Sequence, residues 1–231
     1  TLDLILERCE VVEIGIDGGG LDDLLGLAVL GREAGTGNWL LWIHAWCHSI
    51  ALERRKSEAS KYRDFEKDGD LSIMDMTEEG IKEVGDIVRK VDASGLLDRI
   101  GVDPSGIGLI ADELENGDEK STGAIEHERI VGIPQGWRLN GAIKAMEVKI
   151  AGKSIIHGSQ KLMAWCVGNA RVEPRGNAIS ITKQASGTGK IDPLMAALDC
   201  IALLAMNPEA KNPRSVDEGL SVSEMISRMS V

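Results

Sequence analysis

Three apolar runs crowd the first 45 residues, and the turns between them leave few folds open. Val11–Ile16 reads as a short buried strand, stopped by Asp17 and the loop Gly18-Gly19-Gly20. Gly26–Arg32 and Trp39–Ala45 follow, separated by Gly35-Thr36-Gly37-Asn38, which is hairpin chemistry. The segment therefore predicts three adjacent strands joined by tight turns.

Helices and strands alternate downstream. Ile50–Lys67 predicts one polar helix ended by Gly69, and Leu71–Met74 a short strand. A helix from Thr77 to about Val91 has Thr77 as its cap and Glu78 and Glu79 at the positive end of its dipole. Leu97–Val102 is a second buried strand, and it closes on Asp103-Pro104. Ile107–Leu114 predicts a helix, Glu128–Ile133 a strand, and Leu139–Ala151 and Gln160–Val167 helices. Arg171–Val172 and Ala178–Thr182 form a hairpin around Arg175-Gly176-Asn177. Asp192-Pro193 then opens the apolar helix Leu194–Met206, where proline in the first turn costs no hydrogen bond. No repeat and no Pro/Gly/Ser-rich linker divides the 231 residues, and 43% hydrophobic content supports one α/β domain.

Composition narrows the functional classes. With 27% charged residues, the chain is not a disordered polyelectrolyte. Its apolar runs are too short to span a bilayer, and no basic-then-apolar leader opens it, so no membrane partner is expected. The start at Thr1 suggests a processed or excised piece of something longer. Cys9, Cys47, Cys166 and Cys200 show no CxxC spacing, which predicts buried thiols in a reducing compartment. His44, Cys47 and His48 lie close together but border a strand-like run, which disfavours local zinc binding.

Three acids stand out by position. Asp17 and Asp103 each follow an apolar strand, and Asp192 begins an apolar helix. Strand ends and helix starts are where open α/β sheets place ligands. Three carboxylates converging there would repel one another unless cations intervened, and hard oxygen donors suit Mg²⁺ or Mn²⁺. Two such ions can activate water and stabilise the leaving oxygen in phosphodiester cleavage. Singly, an Asp beside Gly or Pro is more often a turn residue. Asp23 is a candidate supporting carboxylate behind the three, whereas Asp22 reads as a solvated turn charge. Ser186-Gly187-Thr188-Gly189-Lys190 looks like part of a phosphate loop. It fails the Walker A pattern at Gln184 and Ile191.

The ordered set of motifs resembles a known family. Ile14–Ala28, reading I-G-I-D-G-G-G-L-D-D-L-L-G-L-A, is similar to the first nuclease motif of the large terminase subunit of tailed phages. Trp42-Ile43-His44-Ala45-Trp46 resembles the following strand, and Ile100-Gly101-Val102-Asp103-Pro104 the second acidic motif. Ile130–Trp137, His157-Gly158 and Trp165–Ala170 resemble later segments. Gly189–Ala197, reading G-K-I-D-P-L-M-A-A, resembles the third acidic motif. The glycine run Gly18–Gly20 departs from the family's usual Ser-containing loop.

The resemblance implies a ribonuclease-H-like domain over residues 1–208, a mixed central sheet flanked by helices, with 209–231 as a tail or docking segment. It implies an endonuclease that cuts concatemeric double-stranded DNA during genome packaging, in the cytoplasm of an infected bacterial host. Asp17 would bridge two divalent ions, with Asp103 and Asp192 each holding one. The implied partners are a packaging ATPase domain outside this chain, the terminase small subunit and the portal protein. Two rival readings are a catalytically silent DNA- or portal-docking module and an actin-like phosphotransferase, the latter suggested by Ile16–Gly20.

The net charge of −11 opposes DNA binding only on average. Residues 64–128 hold 19 acids and 6 bases, while residues 138–192 hold 9 bases and 3 acids. DNA is expected to approach the basic stretch, with Lys183, Lys190 and Arg171 as candidate contacts. Arg54 and Arg55 form a second candidate contact. Trp42, Trp46, Trp137 and Trp165 read as core residues, and Asn169 as a turn residue.

Overall fold

The computed structural model describes residues 1–105, 108–117, 123–183 and 189–211. After a short helix α1 (Leu2–Arg8), the three opening runs form an antiparallel meander, β1 (Cys9–Gly18), β2 (Leu25–Glu33) and β3 (Trp39–His48). The predicted polar helix is broken in two, α2 (Ile50–Arg54) and α3 (Ala59–Lys67). At the break the Arg55 guanidinium turns back onto Asp22, with its Nη2 3.0 Å from Oδ2. Asp22 is therefore an ion-pair partner as well as a partly solvated charge, its side chain being 47% exposed.

The chain continues through β4 (Leu71–Met74), α4 (Thr77–Ala93), β5 (Leu97–Val102), α5 (Gly108–Asn116) and β6 (Ile130–Gly132). Met76, not Thr77, takes the cap position of α4, and the acids Glu78 and Glu79 stand in its first turn as expected. Next come α6 (Asn140–Ala151), β7 (Ile155–His157), α7 (Lys161–Asn169), β8 (Ala170–Arg175), β9 (Ala178–Lys183) and α8 (Asp192–Leu204). Strands β8 and β9 form the predicted hairpin as a separate two-stranded sheet. α1 and β7 answer to no sequence expectation. The phosphate-loop-like residues 184–188, and all of 209–231 beyond Lys211, lie outside the described residues.

The main sheet is mixed, in the order β4-β3-β2-β1-β5-β6, with β7 also paired to β3. β5 lies parallel to β1, so two strands that end in an acid run side by side. One face of the sheet packs on α1, α4 and α5, through Val12, Ile14, Ile16, Val88 and Leu114. The other packs on α6, α7 and above all α8, through Val11, Ala28, Ala196 and Ile201. This is an α/β fold, a mixed sheet flanked by helices.

The α8 contact is unusually close, and glycine makes it so. Strand alternation puts Gly15 and Asp17 on the α8 face of β1, with Ile14 and Ile16 on the other. A Cβ on Gly15 would fall 1.9 Å from the Ala196 carbonyl oxygen, and one on Gly26 would fall 2.7 Å from the Pro193 nitrogen. Gly101 on β5 likewise faces the Asp199 carbonyl at 3.1 Å. Main chain rests on main chain, which sets where the first turn of α8 sits.

Candidate functional site

Asp17, Asp103 and Asp192 line one cavity of about 950 Å³, so the fold brings together three acids that lie 86 and 89 residues apart in sequence. Asp17 is the penultimate residue of β1, and Gly18 beside it takes a φ of +86°. A side chain at Gly18 would strike Leu24 O at 2.2 Å and the Asp192 Cβ at 3.0 Å. The left-handed turn thus lets the strand end fold against the start of α8. Asp192 lies in the first turn of α8, where the helix dipole favours a carboxylate.

Both of these acids are buried, and burial is the main cause of their altered acidity. Asp17 is raised to about 8, by desolvation first and then by the negative charges of Asp192, Asp199 and Asp103. Asp192 is raised to about 6 by desolvation, against the pull of Lys183. Its Oδ2 is buried without a hydrogen-bond partner. Asp103 is more open, and its Oδ1 accepts a bond from Ser105 N at 2.9 Å. This is the turn-capping role that an Asp before Pro commonly plays, and it occupies one of two oxygens.

The lysines are drawn inward. Lys190, only 5% exposed, donates to Asp23 Oδ1 at 2.5 Å. It is neither a solvated loop lysine nor available to a phosphate while that pair holds. Lys183, at the end of β9, stands 3.4 Å from Asp23 Oδ1 and 3.7 Å from Asp192 Oδ1. Asp23 therefore organises lysines beside the acids. Asn169 latches this region, donating to the Lys190 carbonyl at 3.1 Å, so it holds structure and is not a plain turn residue.

The other candidates disperse. Arg55 is held by Asp22 and cannot serve DNA as a free cation, whereas Arg54 and Arg171 are exposed. His44 Nε2 bonds Ser72 Oγ at 3.0 Å, and His48 Nδ1 accepts from Ile50 N, so local partners take up the histidines of the disfavoured zinc cluster. All four cysteines are buried thiols outside any disulfide. Trp46 is buried as expected, but Trp137 is 57% exposed beneath the Arg138 guanidinium, while Leu139 is the residue of its short 3-10 turn that enters the core.

Sequence reasoning missed Asp199. It sits two helical turns after Asp192 on α8, fully buried, and accepts from Gln135 Nε2 at 2.9 Å. Burial raises it to about 7. A single acid inside the apolar run Leu194–Ala205 was the available signal.

The donor set is all oxygen, and the orphaned Asp192 Oδ2 in an acid-lined cavity fits a hard divalent cation. Among the described residues, however, no three His, Cys, Asp or Glu side chains are grouped closely enough to hold an ion as they stand.

No protein-family model matches the sequence, and no curated protein is similar to it. Solved structures are similar. The HK97 bacteriophage large terminase aligns with 87% of this chain at TM-score 0.68 and 18% identity. The chain spans 42% of that protein's length. The large terminase nuclease from thermophilic phage G20c aligns with 83% of this chain and 81% of its own, at TM-score 0.50 and 14% identity. The same nuclease with bound magnesium aligns at TM-score 0.47 and 14% identity. The chain has the fold of a phage large terminase nuclease domain, ribonuclease-H-like as the sequence motifs implied.

Proposed function

We propose that this chain is the metal-dependent endonuclease domain of a phage large terminase, hydrolysing double-stranded DNA during genome packaging. One observation carries the reading: Asp17, Asp103 and Asp192, from three separate parts of the sequence, line one cavity, and among the described residues neither buried one is paired with an arginine. The shared fold supports it.

Asp17 would bridge two divalent ions, Mg²⁺ or Mn²⁺, with Asp103 and Asp192 each holding one. Such ions supply a more acidic bound water and neutralise charge on the reacting phosphate. The chain supplies the rest. Desolvation around Asp17 and Asp192 strengthens their hold on a cation and keeps bulk water out. Lys183 adds positive charge at the same place, where an incoming phosphate is anionic. Asp103, the more open acid, has one oxygen committed to Ser105 N, and its other oxygen would serve as the ligand.

Double-stranded DNA is the substrate in this reading. A packaging ATPase domain, the terminase small subunit and the portal protein are its partners, in the cytoplasm of the infected bacterial host. No helix among the described residues is long and apolar enough to cross a membrane. A silent docking module is the second reading. It is favoured by the absence of a preassembled chelating triad among the described residues and by Lys183 standing on Asp192.

Plasmid nicking in Mn²⁺ separates the two. The nuclease reading expects cleavage by the wild type and none by Asp192→Ala. Equal cleavage by both, or cleavage by neither, overturns it.

A further inference from the structure

The cavity is much larger than a carboxylate site needs, and its second half has a different character. Besides the acids, its lining includes Trp46, Met74 and Ile81, together with the exposed Leu21, Met76 and Leu109, which we take as its rim. Those three rim side chains are 45%, 55% and 67% exposed, and they come from three separate segments, the β1–β2 loop, the start of α4 and the start of α5. Exposed apolar side chains gathered around one opening mark a binding surface.

What fits there follows from charge and continuity. The described lining holds one cation, Lys183, and it stands on the acidic side. Glu78 and Glu79 stand in the first turn of α4 beside the rim. A DNA backbone would find no counter-charge along this wall. The uncharged part of a nucleotide would find thioethers and aliphatic groups on which its flat faces can rest. A phosphodiester held at the acids has its own nucleoside attached, within reach of the same opening.

We propose that the apolar half of the cavity receives an unstacked nucleobase next to the phosphate being cut, so that the domain acts preferentially on locally unpaired DNA. The proposal rests on the nuclease reading for the position of the phosphate. Its chemistry is that of enzymes that take a base out of the stack, for which an already unpaired base removes the unpairing cost. Gly80 on α4 faces this space, where a Cβ would lie 3.4 Å from both the Met74 sulfur and the Trp46 Cβ. A larger side chain there would press on Met74 and Trp46, which wall the pocket, and so reshape it.

Two measurements on the 231-residue chain test this. In Mn²⁺, an oligonucleotide duplex with a two-base bubble should be cut about tenfold faster than its fully paired counterpart, and Gly80→Leu should return that ratio towards one. In Ca²⁺, 2-aminopurine placed in the bubble should brighten on adding wild-type protein and not on adding Gly80→Leu, with circular dichroism and melting confirming that the variant is folded. If the bubble and the paired duplex are cut equally, or if 2-aminopurine responds to neither protein or equally to both, the proposal is overturned. Loss of cleavage on every substrate, with the 2-aminopurine response intact, would count against the nuclease reading and leave the base pocket supported.

Discussion

At the N-terminal end of β1, each nearby acid has a cation from the chain itself. Arg8 holds Glu33, Arg32 holds Glu10 at 2.5 Å, and Lys211 holds Asp98 at 2.7 Å. At the C-terminal end of the same strand, Asp17, Asp103 and Asp192 face a shared cavity. Among the described residues, Lys183 is the one cationic side chain within 4 Å of any of them. Acidity follows the difference. Glu33 and Asp98 are held below the usual carboxylate range despite burial, whereas Asp17 and Asp192 are pushed above it. Glu13, in the middle of the strand, shows that a cation at 3.8 Å is not enough: Arg99 stands that far away, and burial still raises the acid to about 8, as at Asp17. One end is neutralised from within and serves folding; the other awaits charge from outside.

The largest expected break between the two ends is in activity. Asp17→Asn should lower Mn²⁺-dependent nicking by at least about a hundredfold. Above pH 8 in chelator it should leave the melting temperature unchanged or higher, because there it removes a buried charge that lacks a partner. A lower melting temperature would mean that Asp17 has an internal counter-charge after all.

Arg32→Ala probes the opposite end. Its guanidinium ties Glu10 on β1 to Asn207 and Pro208 beyond α8. Losing these charge-assisted bonds should cost about 2 kcal/mol in urea unfolding while nicking by the folded fraction is unchanged.

The pH dependence of the two ends should run in opposite directions. Asp17, Asp199 and Asp192 bind a proton more tightly when folded than unfolded. Their contribution to stability is therefore complete below the unfolded value near 4 and is lost as pH rises through about 6 to 8. Glu33, held low, contributes above the unfolded value, and its contribution is lost as pH falls through the lowered folded one. Melting curves in chelator should thus fall between pH 5 and 8, with a shallower fall in Asp17→Asn. Millimolar Mg²⁺ should restore the wild type at pH 8. A pH profile that Asp17→Asn leaves unaltered would refute the site side of the contrast.

The smallest effects concern surface charge. Charge reversal at Lys183 should weaken DNA cleavage about tenfold, and reversal at Lys190 should act through the loss of Asp23. Reversal at Lys82 or Lys90, on α4, should leave cleavage within about twofold. Equal losses would remove the proposed polarity of DNA approach.

Much of this was legible in the sequence, for local reasons. The meander followed from short apolar runs and glycine turns, and the three acids stood out because each ended or began an apolar element. What escaped was tertiary. Nothing local marks Arg55 as the residue that reaches back to Asp22 and divides a helix. Lys190 reads as a loop lysine until Asp23, 167 residues earlier, is seen beneath it. Ile155-Ile156-His157 is too short to announce itself as a strand, and only the open edge of β3 makes it one. Asp199 carried a signal, an acid in an apolar helix, but its significance needed the neighbouring strands.

The close seat of α8 on Gly15, Gly26 and Gly101 has a consequence for how this site can change. The spacing between Asp17 and Asp192 is set by backbone pressed on backbone, so no substitution elsewhere in the core can widen or narrow it by degrees. Substitutions that retune this site without unseating α8 are therefore those in its walls, lysines and rim, around an acid pair held at one separation.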